Sequence, residues 1–254
     1  MINKKIWLSL GLILAAFVLR LTQVFSITDF KTGFYKRDNS VLGLILTVLV
    51  FVLCVAAAIV SHKSLHIKKE KTAKLLPIIS GLTSFALLYE LISEKFAMQG
   101  MAWQVILMKA VGFGAVIYFG AFALSKVLKF QMPDILHTIP ALYTIMRIIC
   151  SFINISSLSL IAENIFFIAA LCCTLLFFVS YAAFYCLDDH DKTLNLRTVL
   201  AGSICFVTAA SNIIANLFVK NGYNHIPLYS QFVLMMVAFF IAAFAFSGIF
   251  ETKE

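Results

Sequence analysis

Charge is what this chain has least of. Asp, Glu, Lys and Arg together make up 13% of its 254 residues, against roughly 25% for an ordinary soluble domain. That shortage excludes a conventional water-soluble fold of this size. Proline occurs 4 times and glycine 11 times, too seldom for a turn-rich all-β chain or a low-complexity segment. No polar stretch between apolar runs is longer than about fifteen residues, too short for a soluble domain to build its own core. Any ATP hydrolysis or cytosolic catalysis would need another chain. H-E-x-x-H, G-x-S-x-G, the P-loop and a paired-aspartate protease signature within a span are all absent. The chain is therefore not expected to be an enzyme of those classes. The cysteines, Cys54, Cys150, Cys172, Cys173, Cys186 and Cys205, lie in or at the ends of apolar runs and form no C-x-x-C. They read as small buried hydrophobes, so neither disulfides, nor a metal, nor a cofactor is expected.

What is present is apolar sequence in long runs. Hydrophobic residues make up 62% of the chain, 25 of them Phe, and the mean hydropathy is +0.98. A run of about 20 such residues spans a bilayer core as a helix. The pattern predicts an all-α polytopic bundle of about eight transmembrane spans. These are Ile6 to Phe25, Val41 to Ser61, Leu75 to Ile92, Ala102 to Leu124, Asp134 to Ile153, Ile165 to Tyr185, Thr198 to Val219 and Gln231 to Phe250. Met1 to Lys5 is short and basic, and the apolar run after it meets no small-residue cleavage site. It reads as an uncleaved first span.

The net charge of +8 does not point to nucleic acid. Much of it sits between spans two and three, in Lys63, Lys68, Lys69, Lys71 and Lys74. A cluster there reads as a cytoplasmic retention signal, and next as a contact for anionic lipid. With the N-terminus inside, twelve Lys and Arg fall in cytoplasmic segments and five on the other side. That bias decides the orientation and predicts both termini on the cytoplasmic side of a cell membrane.

Three matches suggest an internal repeat. Arg20 to Phe25 aligns with Arg147 to Phe152, Lys71, Thr72, Gly81 and Phe85 with Lys192, Thr193, Gly202 and Phe206, and Gln104 to Met108 with Gln231 to Met235. Their order is the same and their offsets are nearly equal. They predict two parallel four-helix halves, residues 1–130 and 131–254, related about an axis along the membrane normal. The early helix that ends in Arg20 and an apolar stretch, with Thr32-Gly33-Phe34 in the following loop, resembles uncharacterised multi-spanning membrane proteins of Gram-positive bacteria. The resemblance covers the first quarter of the chain and implies a bacterial cytoplasmic membrane. It carries no activity.

Ionisable residues inside spans are the candidate functional groups. A charge at mid-bilayer costs about 2.5–3.5 kcal/mol, so it normally faces protein or a water-filled cavity. Arg20, 14 residues into span one, lies about 21 Å along the helix at 1.5 Å per residue. Arg147, Glu90 and Lys109 fall at a similar depth, in the outer half. The layer predicts an outward-facing, cation-lined pocket for a small anionic ligand, with Arg20 and Arg147 as a pseudo-symmetric pair of forked donors. Glu90 is expected to pair with a cation, Lys109 first, while Asn212, Asn216 and Gln23 add neutral hydrogen bonds. The competing reading is that Arg and Lys snorkel to headgroups and Glu90 locks helices together.

Other clusters weigh less. Asp188, Asp189 and Asp191 with His190 are metal-like but lack a spaced ligand motif, and read as a solvated loop. Asp134 suits a helix N-terminus by capping and dipole, and His137 one turn on is expected to be interfacial. Gly112, Gly114 and Gly120 read as a small-residue packing face. The function this composes is a small-molecule transporter or permease component. The alternative is a non-catalytic scaffold or accessory subunit, bound to a partner protein through the Lys63 to Lys74 loop or its exposed spans.

Overall fold

The computed structural model describes residues 4–29, 34–62, 75–93, 102–155, 162–187, 193–218 and 226–247. The chain is all-helical there, with eight helices long and apolar enough to cross a membrane. They are α1 (Lys4–Thr22), α2 (Ser40–Ser61), α3 (Leu75–Ser93), α4 (Ala102–Leu128), α5 (Ile139–Ile155), α6 (Ala162–Cys186), α7 (Leu194–Phe218) and α8 (Leu228–Ser247). Two irregular turns extend them. Gln23–Ile27 continues α1 as a π-helical turn, and Asp134–Thr138 leads into α5 as a 3-10 turn. Pro140 accounts for the second. It lacks an N–H, and its ring clashes with the carbonyl four residues back, so a regular α-helix does not run through Leu136. The expected cap by Asp134 is not formed at this turn. The cap position is Pro133, without a side-chain hydrogen bond, and Asp134 stands in the first turn, where dipole attraction acts.

Six helices close into a ring. Each of α3 to α8 packs on the next, and α8 returns to α3. Short polar side chains tie the seams: Ser80 and Ser84 donate to the carbonyls of Phe119 and Val116 at 2.8 Å each, and Thr83 to that of Met236 at 3.4 Å. The ring is filled. Leu87, Phe119, Tyr143, Phe178, Ala201 and Phe240, from all six helices, share one hydrophobic core. The α1–α2 hairpin lies outside the ring against α7, held by Ser9 donating to the Ala57 carbonyl at 3.0 Å and by Phe17 on Phe206. α7 is thus enclosed on both sides: 67% of its span is buried, against 28% for the span of α1. Elsewhere the outer surface is apolar, with Val48, Phe85, Ile106 and Ile117 more than half exposed.

The hairpins α1–α2, α3–α4, α5–α6 and α7–α8 all pack internally. Between hairpins the halves differ. α6 packs along α7, whereas α2 lies against α7 rather than α3. The glycines of α4 also divide. A Cβ on Gly112 or Gly120 would meet Leu91 or Ser84 of α3, while one on Gly114 would meet Ile139 of α5. They do not form one packing face.

Candidate functional site

An even number of spans puts Lys4 and Ser247 at the same end of the bundle, here called the terminal face. Near the opposite face the ring encloses an ion pair. Tyr143 and Arg147 are one helical turn apart on α5, so both reach one point on α3. Arg147 Nη2 lies 2.6 Å from Glu90 Oε1, and the Tyr143 hydroxyl donates to Glu90 Oε2 at 2.8 Å. The same Nη2 donates to Ser230 Oγ at 2.7 Å, in the first turn of α8. The pair is sealed from solvent, its side chains 8% and 1% exposed. It borders a cavity of about 30 Å³ whose walls include Phe119, Pro140, Thr174 and Phe178, room for about one water. Two opposite charges joined this closely need no other counter-ion. They can separate only if something replaces each partner.

A second polar group lies where α1 meets α6, α7 and α8. Arg20 is fully buried. Its Nη1 donates to Gln23 Oε1 at 2.7 Å, and its guanidinium carbon lies 4.0 Å from the centre of the Phe166 ring, a cation–π contact. Nε and Nη2 meet no hydrogen-bond partner. Gln23 opens the π-helical turn, a distortion found often at functional sites. It is itself pinned by Tyr35 Oη at 2.7 Å, Gly43 O at 2.7 Å and Thr47 Oγ1 at 2.8 Å. α1 runs parallel to α7, with Val24 packed on Ala215. One turn back on each helix sets Arg20 level with Ser211 and Asn212. Asn212 is fully buried, and neither its Oδ1 nor its Nδ2 has a partner. Thr208, one turn further along the same stripe, has an unpartnered hydroxyl. On the α6 side Glu163 stands one turn from Phe166 and accepts from Gln231 Nε2 at 3.5 Å. Gln231 Oε1 is left without a partner.

The structure divides the expected layer. It joins Glu90 to Arg147, so the close partner of the carboxylate is Arg147 and not Lys109. Lys109 is half-buried on α4 and does not line the cavity. Arg20 does not line it either, and stands instead with Asn212. Asn216 donates to the Asn212 backbone carbonyl at 2.9 Å. Neither arginine snorkels, since both are buried. Sequence reasoning missed Tyr143, Ser230, Glu163 and the amide of Gln231. The apolar run begins at Ile165, which leaves Glu163 outside the expected span six. α6 begins at Ala162 and takes Glu163 into its first turn, where an acidic residue suits the helix dipole.

At the terminal face the ring holds a third network. His137 is buried rather than interfacial, stacked on Tyr185 at 4.0 Å. Its Nδ1 is hydrogen-bonded to the Tyr118 hydroxyl at 2.7 Å, which meets that of Tyr181 at 3.0 Å. The Lys63 to Lys74 segment and the Asp188 to Asp191 cluster lie outside the described residues. Among the described residues no group of His, Cys, Asp and Glu is placed to hold a metal.

These features are those of an all-helical protein with eight helices long and apolar enough to cross a membrane and with ionisable side chains in its interior. Comparison with protein families, with curated proteins and with solved structures finds no match.

Proposed function

We propose that the chain is an integral protein of a cell membrane, with both termini cytoplasmic, that acts as a small-molecule transporter or permease component. The carrying observation is the buried Glu90–Arg147 pair on a cavity inside the six-helix ring. An ion pair is costly to bury, and in a membrane span ionisable groups mark solute paths more often than packing. In the conformation described the path is closed. Phe119, Phe178 and Phe240, in mutual ring contact, fill the ring between the pair and the terminal face. A small anion entering from the opposite face would compete with Glu90 for Arg147, and a co-bound cation would take the place of the arginine on Glu90. The recurrence of an arginine in spans one and five is read as the trace of a duplication of residues 1–130 into 131–254.

The test is a thermal-unfolding screen of the purified chain against small carboxylates and phosphates, run beside an Arg147→Leu/Glu90→Leu double variant. Removing both charges spares the fold an orphaned ion. A solute that stabilises the parent and not the folded double variant supports the reading. If none stabilises the parent, the scaffold or accessory-subunit reading takes its place. One observation favours that second reading: the two charges neutralise each other in a cavity that admits about one water.

A further inference from the structure

We infer that the Arg20 cluster is a binding site for a small zwitterion, an α-amino acid or a close analogue, with carboxylate on Arg20 and ammonium on the amide oxygens of Asn212 and Gln231. The inference stands apart from the transport reading, because a scaffold that binds such a ligand would show the same site.

Three unmet needs lead to it. First, a fully buried guanidinium offers Nε and Nη2 to nothing. These are its adjacent donors, the edge that grips a carboxylate with two parallel hydrogen bonds. Each buried N–H left without an acceptor costs about 1–3 kcal/mol, and the carboxylate of the cluster, Glu163, is engaged by Gln231 rather than by this edge. Phe166 offsets part of that cost from one face only. The open Nε–Nη2 edge is therefore shaped for a forked acceptor such as a carboxylate.

Second, a plain anion would leave the rest of the cluster unmet. Asn212 Oδ1 and Gln231 Oε1 are buried acceptors without donors, and each such group costs about 1–3 kcal/mol. The ligand must bring donors as well as a negative end. Third, the donor end lies toward Glu163, which Gln231 touches through its other amide atom. A carboxylate there favours an ammonium over a hydroxyl. Asn212 Nδ2 and Thr208 Oγ1, also unpartnered, suit the second carboxylate oxygen. Gln23, bound on three sides, holds the third guanidinium nitrogen and fixes the direction of the open edge.

The experiment is thermal unfolding of the full-length purified chain with glycine, acetate and methylamine at equal concentration, followed by the set of α-amino acids. Each is repeated on Asn212→Leu, on Gln231→Met and on the Glu90→Leu/Arg147→Leu double variant. At least one amino acid should raise the midpoint of the Glu90→Leu/Arg147→Leu double variant by several degrees, with acetate and methylamine, alone or together, giving no shift there. Its apparent affinity should fall at least tenfold in Asn212→Leu or, if that variant does not fold, in Gln231→Met. The double variant should bind as the parent does, which separates this site from the ring cavity. In the double variant, acetate acting as well as any amino acid, or no amino acid acting, would overturn the assignment, and so would unchanged binding in both single variants.

Discussion

Ser230 and Gln231 are neighbours in the chain and serve opposite polar groups. The Ser230 hydroxyl accepts from Arg147 inside the ring, while the Gln231 amide donates to Glu163 on the side of Arg20. The first turn of α8 therefore touches both buried clusters, and a shift of that turn would be felt by each.

The ion pair gives the first prediction. Glu90→Leu orphans Arg147, and Arg147→Leu orphans Glu90. Each should cost about 3–5 kcal/mol, whereas the double variant should lose far less than the sum. Reversible unfolding in mixed micelles measures the cycle. Additive losses would mean that the charges do not meet as described.

Gly43 carries the second. A Cβ there would lie 2.5 Å from Tyr35 Cγ and 2.7 Å from both Cδ atoms, at the rigid base of a ring. Gly43→Ala must displace Tyr35 and, with it, the bonds of Gln23 to Tyr35 and Gly43. Overpacking of this kind costs about 1–3 kcal/mol. Gly11 is the control, since a Cβ there meets nothing within 4 Å. Gly11→Ala should be neutral or should stabilise, by up to about 1 kcal/mol from helix propensity. The same unfolding assay ranks the two.

Helices were legible in this sequence because lipid-compatible runs are long and unbroken. The run of Val41 to Ser61 is apolar from end to end, and α2 follows it to within a residue. Depth was legible for the same reason, since counting from a span end placed Glu90 and Arg147 at a common level. Pairing was not. In spans that are apolar all round, the weak remaining asymmetry does not say which neighbour a face will meet. Glu90 had cations at similar depth in Lys109, Arg20 and Arg147, and only the ring's closure of α5 and α8 beside α3 selects Arg147. Polar residues in the first turns of α6 and α8, Glu163 and Ser230, were hidden because hydropathy windows trim helix ends. The His137 network was hidden because a 3-10 turn before Pro140 carries its ring inward.

The third prediction concerns His137. His137→Phe keeps a ring on Tyr185 and removes the bond to Tyr118, which still has Tyr181 at 3.0 Å. The expected loss is about 1 kcal/mol, that of one hydrogen bond with its partner still satisfied. His137→Ala also empties the space between four aromatic rings, those of Tyr118, Phe122, Tyr181 and Tyr185. Large-to-small changes of that kind cost about 2–5 kcal/mol. Equal losses for the two variants would show that the hydrogen bond, not the packing, holds this end of the ring.

The last prediction tests membrane placement and orientation through one helix. Cys172 and Cys186 are both exposed on α6, while Cys54, Cys150 and Cys205 are buried. Cys172 is ten residues into α6 from Ala162, about 15 Å at 1.5 Å per residue, which is the middle of a hydrocarbon core about 30 Å thick. Its exposed thiol should face lipid. Cys186 ends the helix at the terminal face, its thiol donating to the Asp134 carbonyl at 3.1 Å. A charged maleimide should leave Cys172 unmodified in membranes and modify it once detergent denatures the chain. The same reagent should reach Cys186 only after intact cells are permeabilised, if the terminal face is cytoplasmic as the twelve-to-five charge bias requires. Modification of Cys186 in intact cells would reverse the orientation and leave the helix in the bilayer. Modification of Cys172 by a charged reagent in intact membranes would remove α6 from the hydrocarbon, and the membrane-spanning assignment with it.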